Sequence, residues 1–563
     1  MIPHLLRLGM LLCLSKLSLQ QQAIGSPSYV GAVVEYHPVT DGDDGSTIAV
    51  ANANNYRTII KNASEYKVDI IVFPEFGLTS LPKDGNGAEK KFNATEYRAY
   101  YRNTASYIPN PNESVILCDT DNKYQTSLQT ISCAAREYKM YVVVNHHEHA
   151  DCPKSNCAPG NFLLYNTNVV FDRKGKVIAK YRKYNLFNEP GTNVTAQPEY
   201  STFTTDFGVT FGQFICFDIV QEKPANFFVR NPNVTDIVYS THWYDELPFN
   251  DAIQQQAAWA YGADVNLLAS GYSDAQTSSG GSGIYAGKRG PIKIHQPRET
   301  SNALVVAKIS KLNRQKRIED VRAGRSFVHV FKQAEIPTVS GVPLHAPPYP
   351  PYFHDDLRPY TTQLLDPTQG SHITTLCDNE LCCDFHVETN YDKKAADTPN
   401  TQQYKYRVAV FNGVRNVMNQ TTAGLEVCAL IACAGDRIED CGSIYHANLS
   451  VVQPTTFDSF IITRRANLSS RVFYEPSTLT MTDRQPIDNG DFAYVISGHK
   501  NSSLLLMYLV RPKSDVMTFA IYGRKFDRDG EEVTRPKSNG PSITPSFVVV
   551  MMIMILMTLR NCK

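Results

Sequence analysis

The first half of the chain alternates short apolar runs with segments that place apolar side chains on one face. In the segment 48–66, Ile59, Ile60 and Ala63 share one face and no proline interrupts the pattern, which predicts a helix. Helices are also predicted at 126–139 and 251–261. Apolar runs bounded by breaking residues predict strands at 31–35, 69–73, 141–144, 169–171, 177–179, 211–216, 236–240 and 265–270. This alternation predicts an α/β fold in which helices cover a sheet.

The pattern changes near residue 342. The segment 342–353 carries five prolines, which is typical of a stiff connector. Most later apolar runs have the length of strands, at 406–411, 460–463, 504–510 and 518–522. Six cysteines lie in the same half of the chain, at positions 377, 382, 383, 428, 433 and 441. We therefore expect a β-rich second domain that is stapled by disulfides.

Each end of the chain carries a targeting pattern. Arg7 precedes the short apolar stretch 8–14, which indicates a secretory signal peptide at 1–25 and a mature chain that begins near Ser26. A short buried N-terminal strand is the alternative. At the other end the apolar stretch 547–559 would span about 20 Å as a helix, short of a ~30 Å hydrocarbon core.

Ahead of that C-terminal stretch lie a polar spacer and the small residues Ser538-Asn539-Gly540. A small-residue site, a spacer and a short apolar tail are typical of a signal for a glycosylphosphatidylinositol (GPI) anchor. We expect attachment at Ser538 and removal of 539–563, with a short transmembrane tail as the alternative.

Composition narrows the class of protein. The 563 residues include 55 basic and 55 acidic side chains, 42% hydrophobic and 20% charged residues, as in folded proteins of two or three domains. The charge balance excludes a broadly basic nucleic-acid binder. The absence of an interior apolar run of ~18 residues excludes a protein with several membrane spans.

Cysteines and glycosylation motifs favour export. Of 13 cysteines, Cys13 and Cys562 would leave with the terminal signals, and the odd number that remains indicates one free thiol. Nine Asn-x-Ser/Thr motifs predict surface N-glycosylation, at Asn62, Asn93, Asn112, Asn193, Asn233, Asn419, Asn448, Asn467 and Asn501.

Three side chains that follow predicted strands carry candidate chemistry. Cys216 ends the strand 211–216, where a nucleophile would be exposed at the rim of a sheet. Glu75 follows the buried strand 69–73 and could serve as a general base. Lys183 follows the predicted hairpin of the strands 169–171 and 177–179, and it could hold a thiolate or an oxyanion. Taken singly, these would more simply be a buried structural cysteine, a solvated carboxylate and a surface lysine.

Together, Glu75, Lys183 and Cys216 stand in the order of a known triad. The motifs VFPEFGLT, GKVIAKYRKYNLF and FGQFICFDI around them resemble the nitrilase (carbon–nitrogen hydrolase) superfamily. VVEYHPV and SGIYAG are similar to its vanin and biotinidase branch. The resemblance covers about 29–309 and implies an α-β-β-α sandwich. That branch is exported, often GPI-anchored and glycosylated, and carries an extra C-terminal domain.

The resemblance also implies a mechanism without cofactor or metal. Cys216 would be the nucleophile, Glu75 the proton acceptor, and Lys183 the proton donor that stabilises the oxyanion together with the backbone N–H of Phe217. Glu189 is the candidate for the second glutamate found in many nitrilases. His146, His147 and His149 could bind a metal, but the resemblance requires none, so we expect them in a solvated or site-edge loop.

The predicted domains are a catalytic domain at 26–325 and a β-rich domain at 326–538. Besides Cys216, ten cysteines would remain once Cys13 and Cys562 are removed, and two pairs of them are expected to bond, Cys152 with Cys157 and Cys118 with Cys133. The six C-terminal ones allow fifteen connectivities. The nine sequons and both signals fit one location, the outer face of the plasma membrane, with a soluble secreted form as the alternative.

The expected function is hydrolysis of a linear amide through a cysteine thioester, with pantetheine cleaved to pantothenate and cysteamine. Biotinidase-type cleavage of biotin amides is the alternative within enzymes. A non-catalytic adhesion or signalling ectodomain is the alternative from another class. Expected partners are a small-molecule amide and, through the anchor, the membrane, but no nucleic acid. The sequence leaves monomer or dimer open.

Overall fold

The computed structural model describes residues 26–40, 44–82, 90–120, 124–153, 159–297, 299–312, 326–336, 353–446, 448–469, 471–499 and 502–536. Several predicted features lie outside these residues: the signal peptide, most of the proline-rich connector, Ser538, the anchor signal, Asn501 and Cys157. The predicted boundary at 325/326 adjoins such a segment and stays a prediction. None of the helices among the described residues combines the length and the hydrophobicity of a membrane span.

The chain divides into two compact units. The first takes the described residues of 1–243, 263–287 and 291–346, and the second those of 244–262, 288–290 and 347–563. Up to the connector, the strands in chain order are β1 Ser28–Glu35, β2 Ile70–Val72, β3 Tyr141–Asp151, β4 Phe162–Phe171, β5 Val177–Arg182, β6 Thr202–Thr204, β7 Thr210–Ile215, β8 Asp236–Thr241, β9 Glu246–Leu247, β10 Asn266–Gly271, β11 Ser282–Ala286, β12 Pro291–His295, β13 Ala303–Ser310 and β14 Ser326–Val330. The helices are α1 Gly45–Glu65, α2 Ala94–Thr104, α3 Thr126–Tyr138, α4 Ala225–Arg230 and α5 Ala252–Ala263.

Two sheets form the centre of the first unit. One has seven strands in the order β14-β13-β1-β2-β3-β4-β5, and the other has six in the order β12-β11-β10-β8-β7-β6. Apolar residues of both, among them Val33, Val72, Val238 and Leu268, form one buried cluster between the sheets. Burial of this apolar area is the main force that holds the layers together.

Helices cover the outer faces of the two sheets. Ile59 and Ile60 of α1 and Leu128 of α3 join the cluster on the far side of the seven-stranded sheet. Phe228 of α4 stacks on Phe214 of the six-stranded sheet. The fold is thus the expected α/β sandwich of nitrilase type, and the predicted helices at 48–66 and 126–139 are confirmed to within a few residues.

In both sheets, candidate site residues follow the carboxyl ends of parallel strands. β1, β2 and β3 run parallel to one another, as do β7, β8 and β10. Glu75 follows β2, Cys216 follows β7 and His242 follows β8. Sites in α/β sheets form where such carboxyl ends meet.

The second unit is a β-sandwich. Its strands are β15 Phe353–His354, β16 Thr361–Leu364, β17 Ser371–Asp378, β18 Leu381–Tyr391, β19 Gln402–Gln403, β20 Lys405–Val417, β21 Thr421–Cys433, β22 Val451–Val452, β23 Thr455–Ala466, β24 Val472–Leu479, β25 Phe492–His499, β26 Ser502–Leu509 and β27 Thr518–Lys525, with a short helix α6 Lys393–Ala396. Two antiparallel five-stranded sheets, β16-β20-β21-β27-β24 and β17-β18-β23-β26-β25, enclose a core that includes Phe385, Phe460 and Phe519. The β-rich, disulfide-stapled second domain is therefore confirmed.

Disulfides staple both units. The predicted bond Cys118–Cys133 is present. Cys152 is also disulfide-bonded, and its expected partner Cys157 lies outside the described residues. The six C-terminal cysteines pair as Cys377–Cys382, Cys383–Cys428 and Cys433–Cys441. Among the described cysteines, Cys216 carries the free thiol.

The segment 244–262 belongs to the second unit although it lies between β8 and β10 in the chain. Gln254 of α5 donates to Ser477 Oγ over 2.9 Å, and the ring of Trp259 packs against that of Phe473. Arg484 forms ion pairs with Asp245 (2.8 Å) and Asp251 (3.1 Å). The predicted helix at 251–261 is present, but its partners come from the β-sandwich.

Candidate active site

Glu75 follows Val72, the last residue of β2, by three positions and is fully buried. Its Oε1 accepts hydrogen bonds from Lys183 Nζ and Asn166 Nδ2, both over 2.8 Å. Its Oε2 accepts from the backbone N–H of His242 over 3.0 Å. A carboxylate with three donors is held in one orientation, and these donors favour its ionised form.

Lys183 follows β5 and is about 1% exposed, so it is not the surface lysine that its type alone would suggest. Besides Glu75, its ammonium group donates to Glu189 Oε1 over 2.6 Å. Glu189 is buried too, and its Oε1 also accepts from the backbone N–H of Phe187 over 3.3 Å. The structure therefore brings Glu75, Lys183 and Glu189, the candidate second glutamate, into one buried cluster.

Cys216 begins a short 3₁₀ turn, Cys216–Val220, directly after β7. Its φ of 46° lies in the left-handed region, which costs a non-glycine residue free energy and is characteristic of functional positions. The Sγ donates to the carbonyl oxygen of His242 over 3.3 Å. The N–H of His242 binds Glu75. His242, the residue directly after β8, therefore contacts both the thiol and the carboxylate.

Asp218 holds this turn in place. Its Oδ2 accepts from the N–H of Ile215 over 3.0 Å and from Tyr181 Oη over 2.8 Å. Its Oδ1 accepts from the backbone N–H and the side chain of Asn185, over 3.0 and 2.7 Å. Burial raises the pKa of Asp218 to about 6, so the group is largely ionised at neutral pH. It thus links the nucleophile turn to the segment that carries Lys183.

The electrostatics of the cluster follow from burial and from charge. Burial raises the pKa of Glu75, against the opposing effect of Lys183. Burial would lower the pKa of Lys183, but Glu189 and Glu75 more than offset it, so the pKa lies well above its usual value. Burial and then Glu75 raise the pKa of the Cys216 thiol. The resting thiol is therefore protonated, and it needs a base before it can attack.

Two side chains at the site escaped the sequence analysis. Asn166 lies in the middle of β4, and Asp218 lies inside the motif around Cys216 without having been singled out. Polar residues at 166–168 inside an otherwise apolar strand were the available signal for Asn166. Buried polar groups of this kind require hydrogen-bond partners.

The expectation of a loop for the three histidines is wrong. His146, His147 and His149 lie inside β3, because antiparallel pairing with β4 extends that strand to Asp151. His146 and His147 are fully buried, and burial lowers the pKa of His146 to about 4. The ring nitrogens of His147 bond to Thr79 Oγ1 (2.8 Å) and Tyr97 Oη (3.0 Å). His146 and His147 are therefore buried side chains of the folded interior.

Comparison with known proteins places both halves of the chain. Residues 45–269 match the carbon-nitrogen hydrolase family, and residues 352–529 match the vanin C-terminal domain. Vanin-like protein 1 of Drosophila melanogaster is 32% identical over 500 residues, which cover 84% of this chain and 82% of that protein. Pantetheinase of Mus musculus is 28% identical over 476 residues, which cover 84% of this chain and 82% of that protein.

Among solved structures, the Saccharomyces cerevisiae protein Nit3, a member of branch 10 of the nitrilase superfamily, aligns with a TM-score of 0.37 and 20% identity, over 51% of this chain and 91% of that chain. The family match and the two-sheet fold define the class as a carbon–nitrogen hydrolase that acts on amides. Since both domain matches and the relatives agree, the chain belongs to the vanin family of the nitrilase superfamily.

Proposed function

We propose that this protein is an extracellular pantetheinase, in which Glu75, Lys183 and Cys216 hydrolyse the linear amide of pantetheine. The observation that carries the proposal is the position of His242, whose N–H binds Glu75 and whose carbonyl oxygen receives the thiol of Cys216. One residue thereby anchors both the base and the protonated nucleophile that acyl transfer requires.

The first half of the reaction forms a thioester. Glu75 removes the thiol proton, and the sulfur of Cys216 attacks the amide carbonyl. Lys183 and the backbone N–H of Phe217 stabilise the negative oxygen of the tetrahedral intermediate. The C–N bond then breaks, and the proton held by Glu75 passes to the leaving amine, cysteamine.

The second half releases the acid. Glu75 removes a proton from water, the resulting nucleophile attacks the thioester, and the Cys216 thiolate leaves with pantothenate as the other product. The proton returns to Cys216, so the enzyme ends as it began. Glu189 shares the charge of Lys183 throughout, which keeps the ammonium group protonated.

The choice of pantetheine rests on the mouse relative, which is named pantetheinase and matches over most of both chains. The disulfides fit an oxidising compartment. Six of the predicted glycosylation sites are exposed, as modification requires: Asn93, Asn112, Asn233, Asn419, Asn448 and Asn467. Asn62 and Asn193 are half-buried. On this basis we propose secretion and glycosylation at the exposed sites. The small residues at 538–540, the polar spacer and the short apolar tail support the proposal of a GPI anchor at Ser538.

The experiment that tests the proposal is amine release by the secreted protein from pantetheine and from biocytin in parallel. We expect cysteamine from pantetheine, no lysine from biocytin, and no release by Cys216→Ser. Release from biocytin alone would move the substrate to the biotin amides. Release from neither by a folded protein would contradict the pantetheine proposal.

A further inference from the structure

One amide side chain joins the two glutamates of the site. Asn166 Nδ2 lies 2.8 Å from Glu75 Oε1 and 2.9 Å from Glu189 Oε2. An amide nitrogen carries two hydrogens, so it can donate to both carboxylates at once. Asn166 is 1% exposed, so bulk water does not compete for these two hydrogens.

The orientation of this amide is fixed by a chain of donors that starts at the backbone. The N–H of Phe76, next to Glu75, can only donate, and it donates to Asn145 Oδ1 over 3.0 Å. Because Oδ1 faces Phe76, the Nδ2 of Asn145 points away from Phe76, and it donates to Asn166 Oδ1 over 2.6 Å. That contact leaves the Nδ2 of Asn166 directed at the two carboxylates.

We propose that Asn166 is a positioning residue for the hydrolysis, which clamps Glu75 and Glu189 so that both carboxylates share Lys183. The inference rests on the proposed function, since it assigns Glu75 the role of proton acceptor. Two carboxylates within reach of one ammonium group repel each other. The donors of Asn166 offset that repulsion, and they favour the ionised Glu75 that must accept a proton.

Other charged or titratable groups face the same carboxylates. Lys183 lies between them, and Cys216 and Tyr239 are each affected by the charge of Glu75. Tyr97 is affected by the charge of Glu189. A substitution at Asn166 removes none of these titratable groups, so we expect its effect on the acid limb to report on Glu75.

The test compares Asn166→Leu with the matched control Asn168→Leu. Asn168 lies two residues along β4, is also fully buried and accepts from Asn145 over 3.3 Å. We expect the acid limb of the kcat/KM profile to move up by about one pH unit in Asn166→Leu, because a charged hydrogen bond to Glu75 is lost. We expect no such shift in Asn168→Leu. A shift of equal size in the control, or none in a folded Asn166→Leu, would overturn the proposal.

A second variant covers the case in which Asn166→Leu does not fold. Asn166→Asp keeps the shape but places a third carboxyl group beside Glu75 and Glu189, so the acid limb should again move to higher pH. A folded Asn166→Asp with an unchanged limb would overturn the proposal. The rate at which iodoacetamide alkylates Cys216 should show the same pH dependence, because alkylation also needs Glu75 to take the thiol proton but does not need cleavage of an amide bond. If pantetheine is not cleaved, the substrate assignment fails while this measurement still decides the role of Asn166.

Discussion

The ammonium group of Lys183 lies 2.8 Å from the Oε1 of Glu75, with both side chains about 1% exposed. An ion pair taken so far from water is stabilising only when its geometry and its remaining hydrogen bonds are well satisfied. Here the second oxygen of Glu75 has its own donor, and the ammonium group has a second carboxylate. The pair is therefore both a structural and a chemical unit, and changes to it should be visible in stability as well as in activity.

Lys183→Met should abolish amidase activity and destabilise the fold. It leaves two buried carboxylates without their cation, a change that typically costs about 3–5 kcal/mol. The double variant Lys183→Met/Glu189→Gln should recover part of the lost stability but none of the activity, because one of the uncompensated charges is gone. Thermal unfolding and amine release measure the two effects. A double variant no more stable than Lys183→Met would contradict this account.

Asp218→Asn should lower kcat at least tenfold through the position of the nucleophile. The amide has one accepting oxygen where the carboxylate has two, so some donors of Ile215, Tyr181 and Asn185 would face an NH₂ group. Steady-state kinetics is the measurement, with Asp206→Asn as the control. Asp206 is an exposed partner of Arg173, and pairs of that kind contribute little. Equal kinetics in the two variants would show that the turn does not depend on Asp218.

Glu475→Gln should stabilise the protein at neutral pH. Glu475 is buried, Gln255 donates to its Oε1 over 3.0 Å, and burial raises its pKa to about 8. Between the unfolded pKa near 4.5 and about 8 the folded chain holds a proton that the unfolded chain has lost, so stability falls as pH rises through this window. The variant should gain on the order of 2 kcal/mol at pH 7 and little at pH 4, as read from unfolding curves at several pH values.

Glu148→Gln provides the control of opposite sign. Burial would raise the pKa of Glu148, but Arg182 and Lys180 lower it below its usual value. Its contribution is present above the unfolded pKa and is lost as pH falls through the folded one. Glu148→Gln should therefore destabilise at pH 7. The same direction of change in both variants would refute the assigned pKa directions.

Removing the two disulfides of β18 should have unequal effects. Cys383–Cys428 closes 45 residues and joins the two sheets of the sandwich, whereas Cys377–Cys382 closes five within a hairpin. Loop-closure entropy predicts a loss of about 4 kcal/mol for the first bond and about 2 kcal/mol for the second. Paired alanine variants, followed by denaturant unfolding, test this order. A larger loss for the hairpin bond would contradict it.

The sequence was informative wherever the determinant was local. Apolar runs located the strands before Glu75 and Cys216, because a buried strand needs only its own pattern to be recognised. The bond Cys118–Cys133 could be proposed because the two residues are close in sequence. The catalytic roles of Glu75, Lys183 and Cys216 stay predictions until variants are measured.

Features that depend on distant partners could not be predicted. Asn166 meets Glu75 across 91 positions of the chain, and nothing next to it in sequence indicates that contact. The polar end of β3 becomes strand only because β4 pairs with it. The pairing of the six C-terminal cysteines follows from the register of the second unit, since Cys383 and Cys428 lie in different sheets.

The assignment of 244–262 to the second unit changes what a domain border means in this chain. An enzyme cut at the proline-rich connector would keep His242 but would lose the side chains that surround the nineteen residues beyond Trp243. Asp245 and Asp251 would lose Arg484, with which both form ion pairs, and Trp259 would lose its packing against Phe473. The hydrolase half is thus not a portable module. Its chain is interleaved with that of the β-sandwich. We therefore expect the two units to fold only as one continuous polypeptide.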